Sequence, residues 1–581
     1  PPAEKFAASE LQKYLYKSTG ICYPYFDDRV EKKGREIRVG FGARNEAYKI
    51  DKEQLGKEGF LIRTLPGGDI LIAGNSPRGT IYGVYSFLEK SIGFKAFTGD
   101  VEKYDFRNAP KTDNIDTVQI PAFEYRDVYF RPAFNAEFCI KNKLNLSMAD
   151  ISERRGGCMR FHSVGHTFWK LIPAETYFEE HPEYFALSEG KRTPEQPCLT
   201  NPRVFEIVRK NLIDQIEKNP DCNVFSVAQN DVPLCCECEE CRKINEREGS
   251  EAGTNIWFVN KLAESIEKDY PQVLLHTFAY RFTKTAPKYL KPKDNVIVRL
   301  CNIECDWSRP FEDLAKDESS ATHDFLKNIS EWSKITKRLY VWDYAVNFHN
   351  YPLPFPNIYQ MAANIKMFAE KGVSGLLEQG NYSFGGGAAL DELKVYLAAR
   401  LMWDPKEDAG QIVNEFCDHV YGRGGRYISE YIDLISPALF KKRPASLMSK
   451  IDEWLKSGDV YAVRFGLGML MAHYLDAPYF TDELVRKCTE LFEKAKSAAE
   501  SEAVLERIEK ESLSVDYLRI VRMADDKKRR EEVEKFAEKL RRCGITEIME
   551  KTALADSLDF MKERYATKRF HRYDYLRYEI T

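Results

Sequence analysis

Apolar, strand-like runs in this chain repeatedly end in an acid. NVFSVAQ (223–229) runs into Asn230 and Asp231, and NVIVRLCNIE (295–304) ends at Glu304. RLYVWDY (338–344) closes on Asp343 and Tyr344, and VSGLLEQG (373–380) carries Glu378 with Asn381 just beyond. Strand ends that face water need some polar residues, but not a carboxylate on each of four apolar runs. Carboxylates gathered without basic phosphate-binding loops suit hydrolysis of a glycosidic bond. One carboxylic acid protonates the leaving oxygen, and a second group attacks or stabilises the oxocarbenium-like centre. A closed, low-dielectric cleft and a neighbouring carboxylate raise the pKa of the acid partner, so it keeps its proton near neutral pH. The expected catalytic set is Asp231, Glu304 and Glu378, with Glu378 paired to one of the other two. Asn230, Arg126, His162, His166, Tyr280, Trp307, Asp343, Tyr344 and Asn381 are the expected substrate-positioning groups. Trp169, Trp342 and Trp403 also fall near these ends, where an indole face can stack on a sugar or simply fill core. Glu392 reads as a solvated or capping carboxylate.

The stretch LCCECEEC (234–241) invites a second chemistry. Cys236, Cys238 and Cys241 have spacing that suits a tetrahedral zinc, with Cys305 from a nearby strand end as the fourth ligand. Adjacent Cys235 and Cys236 do not both fit one ion. Disulfides and buried free thiols are the alternatives, and fourteen cysteines in 581 residues do not make a disulfide scaffold. No histidine lies close by in sequence to activate a catalytic thiol. His162 and His166 stand four apart, but no HExxH or third ligand accompanies them. No cofactor is therefore expected to be required, beyond a structural zinc if the cysteines hold one.

The elements that must position these groups fall into three regions. Residues 1–105 read as a small α/β domain, with a strand at 37–42, a hairpin at 60–74 and helices at 3–18 and 80–94. Gly40-Phe41-Gly42 lacks the GxGxxG of a nucleotide loop and reads as a tight turn. The polar stretch 103–119 reads as a linker. Residues 120–405 hold eight strand-like runs, including LNLSM (144–148) and CMRFHSV (158–164). Helical patterns lie between several of them, at 202–217, 254–269, 318–335 and 357–371. That count and length match a (β/α)₈ TIM barrel, whose catalytic face lies at the strand C-termini. An open doubly wound sheet is the alternative. Residues 406–581 form an α-helical C-terminal domain, with helical periodicity at 407–421, 426–439, 446–472, 482–510, 514–540 and 546–562.

Composition narrows the partners. The chain is 43% hydrophobic, 30% charged and 13% aromatic, enough for substantial cores. A formal net charge of -4 with interspersed signs argues against nucleic acid. No apolar run reaches about 18 residues, so no membrane-spanning segment is expected. The opening PPAEKFAASE, without Met or a signal sequence, reads as a processed or trimmed start and says little about compartment. The sequence sets no oligomeric state.

Three stretches carry a family resemblance: FSVAQNDVPLCCECEECRKINEREGSEAGT (225–254), VIVRLCNIECDWSRP (296–310), and LYVWDYAVNFHNYPLPFPN with VSGLLEQGNYSFGGGAALDELKVYLAARLMWDP (339–357 and 373–405). They resemble the DUF4838 proteins, whose members form glycoside hydrolase family 163, endo-β-N-acetylglucosaminidases of gut Bacteroidetes that act on complex-type N-glycans. The N-terminal region resembles the small α/β domain that precedes the barrel in hexosaminidases and α-glucuronidases. The resemblance implies a glycan or glycoprotein substrate, cut with retention between the two core GlcNAc residues. It also implies a location in the bacterial cell envelope, periplasmic or at the surface. Whether the C2 acetamido group or an enzyme carboxylate forms the intermediate stays open. An exo-acting hexosaminidase, an α-glucuronidase-like hydrolase and a non-catalytic glycan-binding barrel are the rival readings.

Overall fold

The computed structural model describes residues 1–440 and 481–563, apart from 33, 49, 113, 306, 308, 309, 349 and 356. The helix expected at 446–472 lies outside the described residues.

The N-terminal region packs helices Pro2–Thr19 and Pro77–Ile92 on a four-stranded sheet. The expected hairpin forms, with Phe60–Thr64 antiparallel to Ile70–Gly74. Its turn runs through Gly67 and Gly68, both at positive φ (92° and 86°), where a side chain would strain the backbone. Ser76 caps the second helix by accepting from the Gly79 N–H, and Gly93 ends it in the left-handed region. The stretch expected to be a linker does more than connect. Asp116–Gln119 adds a fourth strand alongside Phe60–Thr64. Its alternating, half-exposed side chains fit an edge strand, which carries little apolar signal in sequence.

The central sheet has six parallel strands in the order Val224–Ser226, Leu274–Ala279, Val296–Cys301, Leu339–Tyr344, Gly375–Gln379 and Tyr125–Tyr129. The first of these in the chain pairs with the last, so the sheet curls into a half-barrel. Helices Pro202–Lys218, Ala252–Glu267, Ala321–Trp332 and Ile358–Glu370 lie where helical periodicity placed them. The eight-strand expectation differs at two runs. LNLSM is no strand: Lys143 and Asp150 take positive φ (60° and 47°), and Ser147–Ala149 forms a 3₁₀ turn. CMRFHSV contributes a single bridge, Phe161 to Val224. Individual hydrogen bonds cross this gap, from Asn145 N–H to the Arg126 carbonyl (3.4 Å), Met159 N–H to the Asn145 carbonyl (3.0 Å) and His162 N–H to the Val224 carbonyl (2.9 Å).

The two faces of the sheet differ. Val298, Leu300, Val341, Leu376 and Val128 point outward into the main core beneath the helices. Tyr125, Phe161, Val224, Ile297 and Tyr340 form a separate cluster inside the curl. Arg299 lies among them, fully buried, its guanidinium carbon 4.9–5.8 Å from the ring centres of Phe161, Tyr125, Trp342 and Tyr340. Such aromatic faces offset part of the desolvation of a buried cation.

Helices Ala409–Val420, Gly425–Phe440, Asp482–Ala498, Glu502–Val521, Asp526–Arg542 and Leu554–Lys562 make the C-terminal region. It reaches the loop after the last strand through a Gly386–Glu547 bridge and a Tyr382 hydroxyl bond to Glu550 (2.7 Å). Among the described residues, no helix is long and apolar enough to cross a membrane.

Candidate active site

Side-chain parity divides the strand-end residues. Register pairs Trp342 with Leu377 and Tyr344 with Gln379, while Asp343 pairs with Glu378. Trp342 contacts Phe278 (5.8 Å between ring centres) and donates its Nε1–H to Gln379 (2.7 Å), so this set faces into the curl. His166 joins it, 5.1 Å from the Phe278 ring and 6.0 Å from Tyr280. The imidazole donates from Nδ1 to the Gln229 carbonyl, which leaves Nε2 as the acceptor of the neutral ring. Burial lowers the His166 pKa, against an opposing pull from Asp231. Burial also raises Cys301 and Tyr344, and the Asp231 charge adds to both shifts. The Asp231 charge is thus felt by all three.

The turn Arg281–Thr283, which follows the strand Leu274–Ala279, organises the mouth of the curl. Arg281 pairs with Asp231 on one side (2.7 Å), and Lys284 pairs with Glu304 on the other (3.0 Å). Asp231 and Glu304 come from the two strands flanking that turn, and both remain partly exposed. Gln229, buried just before Asn230, donates to the Thr283 hydroxyl (2.7 Å) and the Tyr280 carbonyl (3.1 Å). This bond locks the turn to the Asp231 loop. Arg281 holds φ at 53°, an uncommon position for a non-glycine residue and a strain that the surrounding bonds must hold.

Glu378 lies elsewhere. It and Asp343 face outward from the sheet and are buried, Glu378 completely. Asp343 accepts from Asn302 (2.7 Å) and from the Tyr344 N–H (2.9 Å). No N–H or O–H reaches the Glu378 oxygens among the described residues, and the group it meets is the Asp343 carboxyl. Two carboxyls in contact need one proton between them. Burial, reinforced by the Asp343 charge, pushes Glu378 well above the usual carboxylate range. Burial raises Asp343 to about 6. Of the two, Glu378 is the one that holds the proton. A third raised acid, Asp127, lies inside the curl beside Tyr125 and is pushed by burial to about 6.

Several expected contact residues are committed to the scaffold. Arg126 is fully buried, bonded to Glu58 and to the Phe123 and Lys143 carbonyls (2.7 Å each), bracing the N-terminal region against the sheet. Asn381 is also fully buried and donates to the Gly386 carbonyl (2.8 Å) and Asp391 (2.9 Å). Trp307 packs on Tyr344, and Trp403 packs between Phe60 and Tyr82. His162 stacks on Phe225. Asn230 accepts from the Trp169 N–H (3.0 Å) and donates to the Glu195 carbonyl (2.8 Å). Trp169 is itself 55% exposed at this rim. Glu392 lies in the first turn of the helix Asp391–Trp403, 3.6 Å from Lys510. Arg281, Lys284 and Gln229 are not among the expected site residues, whereas Gln379 stands among the strand-end groups the sequence offers. The alternation Tyr340-Trp342-Tyr344 was the signal that could have separated inward from outward groups.

The cysteines resolve with one correction. Cys198, Cys236, Cys238 and Cys241 bring their sulfurs within 4.8 Å of one another. Cys305 is not among them; it is buried near the Ala321 carbonyl, behind a different strand end. Cys198 takes its place because the hairpin Phe185–Ser188/Lys191–Pro197 folds that residue onto the 236–241 segment. All fourteen cysteines are free thiols. Asp391, Glu392 and Glu511 make a second group with metal-ligand spacing, already approached by Lys510 (3.3 Å from Asp391).

Residues 97–433 match the family model described as a domain of unknown function, DUF4838, and residues 1–87 match the glycosyl hydrolase family 67 N-terminus. Among solved structures, the chain is similar to a family GH115 4-O-methyl-alpha-glucuronidase with specificity for decorated arabinogalactans. The TM-score is 0.55 at 13% identity, covering 95% of this chain and 78% of that one. It is also similar to a family 89 glycoside hydrolase from Clostridium perfringens in complex with 2-acetamido-1,2-dideoxynojirmycin. There the TM-score is 0.51 at 12% identity, covering 97% of this chain and 70% of the other. At these identities the likeness is one of fold, a fold that carbohydrate-active hydrolases of several families share. No curated protein sequence matches the chain.

Proposed function

The chain belongs to the DUF4838 family, and from that premise we propose that it is a retaining endo-β-N-acetylglucosaminidase that cuts the GlcNAc–GlcNAc core of N-glycans. The observation that carries the reading is the turn Arg281–Thr283 and the lysine after it, where Arg281 and Lys284 hold Asp231 and Glu304 on either side of one strand end. Two partly exposed carboxylates from strands two apart are separated at the backbone by about 9–10 Å. The separations glycosidases use between their two carboxyls, about 5–9.5 Å, are of that order. In this reading one of the pair protonates the leaving oxygen, and the other faces the anomeric carbon or orients the acetamido group. Glu378, the third expected carboxylate, lies outside this pair and keeps its own proton against Asp343 on the far side of the sheet. Trp342, Tyr280 and Gln379 line the floor, and Trp169 offers an outer stacking face.

A closed eight-element barrel belongs to the same reading. It is supported by the hydrogen bonds that run from Arg126 through Asn145 to Met159, and from His162 to Val224. Arg281 favours one second reading, an exo-acting α-glucuronidase-like hydrolase, since a guanidinium can meet a uronate.

The test is incubation with a glycoprotein bearing complex N-glycans, with product masses read out. Release of glycans carrying one reducing-end GlcNAc is expected, with Asp231→Asn and Glu304→Gln each slowing turnover by about 10²-fold or more. Release of monosaccharides alone, or full activity in both variants, overturns the proposal.

A further inference from the structure

We infer that the chain binds one structural zinc ion as a tetrathiolate of Cys198, Cys236, Cys238 and Cys241, and that this ion staples the 185–197 hairpin to the loop bearing Asn230 and Asp231. Zinc bonded to sulfur at about 2.3 Å in a tetrahedron sets its sulfurs about 3.8 Å apart. Here Cys198 lies 3.6 Å from Cys238 and 4.0 Å from Cys241, and all four sulfurs fall within 4.8 Å. A disulfide would need about 2.05 Å. Cys238 and Cys241 sit at the start of the helix Glu239–Glu248, one turn apart, so both side chains point to the same place. The Leu187 N–H donates to the Cys236 sulfur (3.4 Å), the kind of backbone bond that supports a ligating thiolate. Binding converts four S–H groups into four Zn–S bonds and releases four protons to solvent.

The ligands come from two segments that share a second clamp. Gln196, two residues before Cys198, accepts from the Asn230 N–H (3.1 Å) and donates to the Asn230 carbonyl (2.9 Å). Asn230 returns a bond to the Glu195 carbonyl (2.8 Å), and the Glu237 N–H donates to the Leu187 carbonyl (2.7 Å). Asn230-Asp231 is thus held between the Gln196 clamp and the four sulfurs. An ion closing that ring fixes the loop by joining two segments that are otherwise about forty residues apart in the chain.

The experiment is elemental analysis of the purified full chain, with the released metal followed as a mercurial titrates the thiols. One zinc per chain is expected, released as four thiols are blocked. Reconstitution with cobalt should give the visible bands of a tetrahedral thiolate site. Cys198→Ser should lose the metal and Cys305→Ser should keep it. If Cys198→Ser does not fold, the cobalt spectrum and thiol titration of the parent chain still decide. Less than about a tenth of an equivalent of metal, iron in place of zinc, or retention of full metal in Cys198→Ser overturns the assignment. Hydrogen exchange tests the staple: amides of 225–234 should exchange at least tenfold faster in metal-free protein, and unchanged exchange there overturns that role.

Discussion

Asp343 stands directly opposite Glu378 across neighbouring parallel strands, on the dry side of the sheet. Glu378 keeps its proton far above the usual range because burial, and then the Asp343 charge, oppose its ionisation. A carboxyl whose folded pKa lies above its unfolded value contributes stability that is complete below the unfolded pKa. That contribution fades as pH rises toward the folded pKa. For Asp343 the window runs from about 4 to about 6, and for Glu378 it extends higher. Denaturant unfolding should therefore show stability falling as pH rises from about 4 to about 6 and beyond. Glu378→Gln should flatten that slope, gaining stability relative to parent as pH rises and little at about pH 4. An unaltered slope in the variant would refute the shared proton.

Arg281 joins strain to charge. Its left-handed φ of 53° costs about 1 kcal/mol for a residue with a Cβ, and glycine relieves that cost. Arg281→Gly should therefore change stability little, as relief of strain offsets the lost ion pair with Asp231. Activity should still drop at least tenfold, because Asp231 loses the group that aims it. Parallel measurement of kcat/KM and thermal midpoint separates the two effects. A loss of both in proportion would make Arg281 a purely structural residue.

Trp169 is the exposed indole tied to the Asp231 loop through Asn230. An endo-acting enzyme needs stacking faces outside its central subsite, while an exo-acting pocket does not. Trp169→Ala should raise KM for a complex N-glycan about fivefold, near 1 kcal/mol, with kcat unchanged. Equal KM values with a long glycan would argue for the exo reading.

Much of the half-barrel was legible because its strands are apolar runs closed by polar residues, and its helices show a 3.6-residue period. The runs at 144–148 and 158–164 misled because apolar alternation says nothing of the positive φ at Lys143 and Asp150. Nor does it show that the Asn145 side chain, which accepts from the Arg126 N–H (2.8 Å), stands in for a ladder. Asp231 and Glu304 were visible as strand-end acids. Their partners Arg281 and Lys284 were not, since a base after a strand looks like ordinary solvated charge. Parity misplaced Glu378: in a strand buried on both faces, apolar content does not tell inside from outside. Cys198 was hidden because its proximity to 236–241 is created by a hairpin, not by spacing.

Arg126 and Glu58 form the brace by which the N-terminal region holds the strand Tyr125–Tyr129. Both are buried, and Arg78 (2.6 Å) and Asn145 (3.0 Å) also serve the Glu58 carboxylate. Burial alone would raise the Glu58 pKa, but Arg126 and Arg78 outweigh it and the carboxyl is held below its usual value. The sign is thus opposite to that of Glu378. The stability Glu58 supplies is present above its unfolded pKa near 4.3 and is lost as pH falls through the lower folded value. Glu58→Gln should destabilise the chain by about 3 kcal/mol at pH 7, since it leaves Arg126 buried without a counter-charge. The penalty should shrink below about pH 4, where the unfolded parent chain takes up a proton that the folded carboxylate resists. Denaturation of both proteins at pH 7 and pH 3.5 tests this, and a pH-independent penalty would show that packing, not charge, holds the brace.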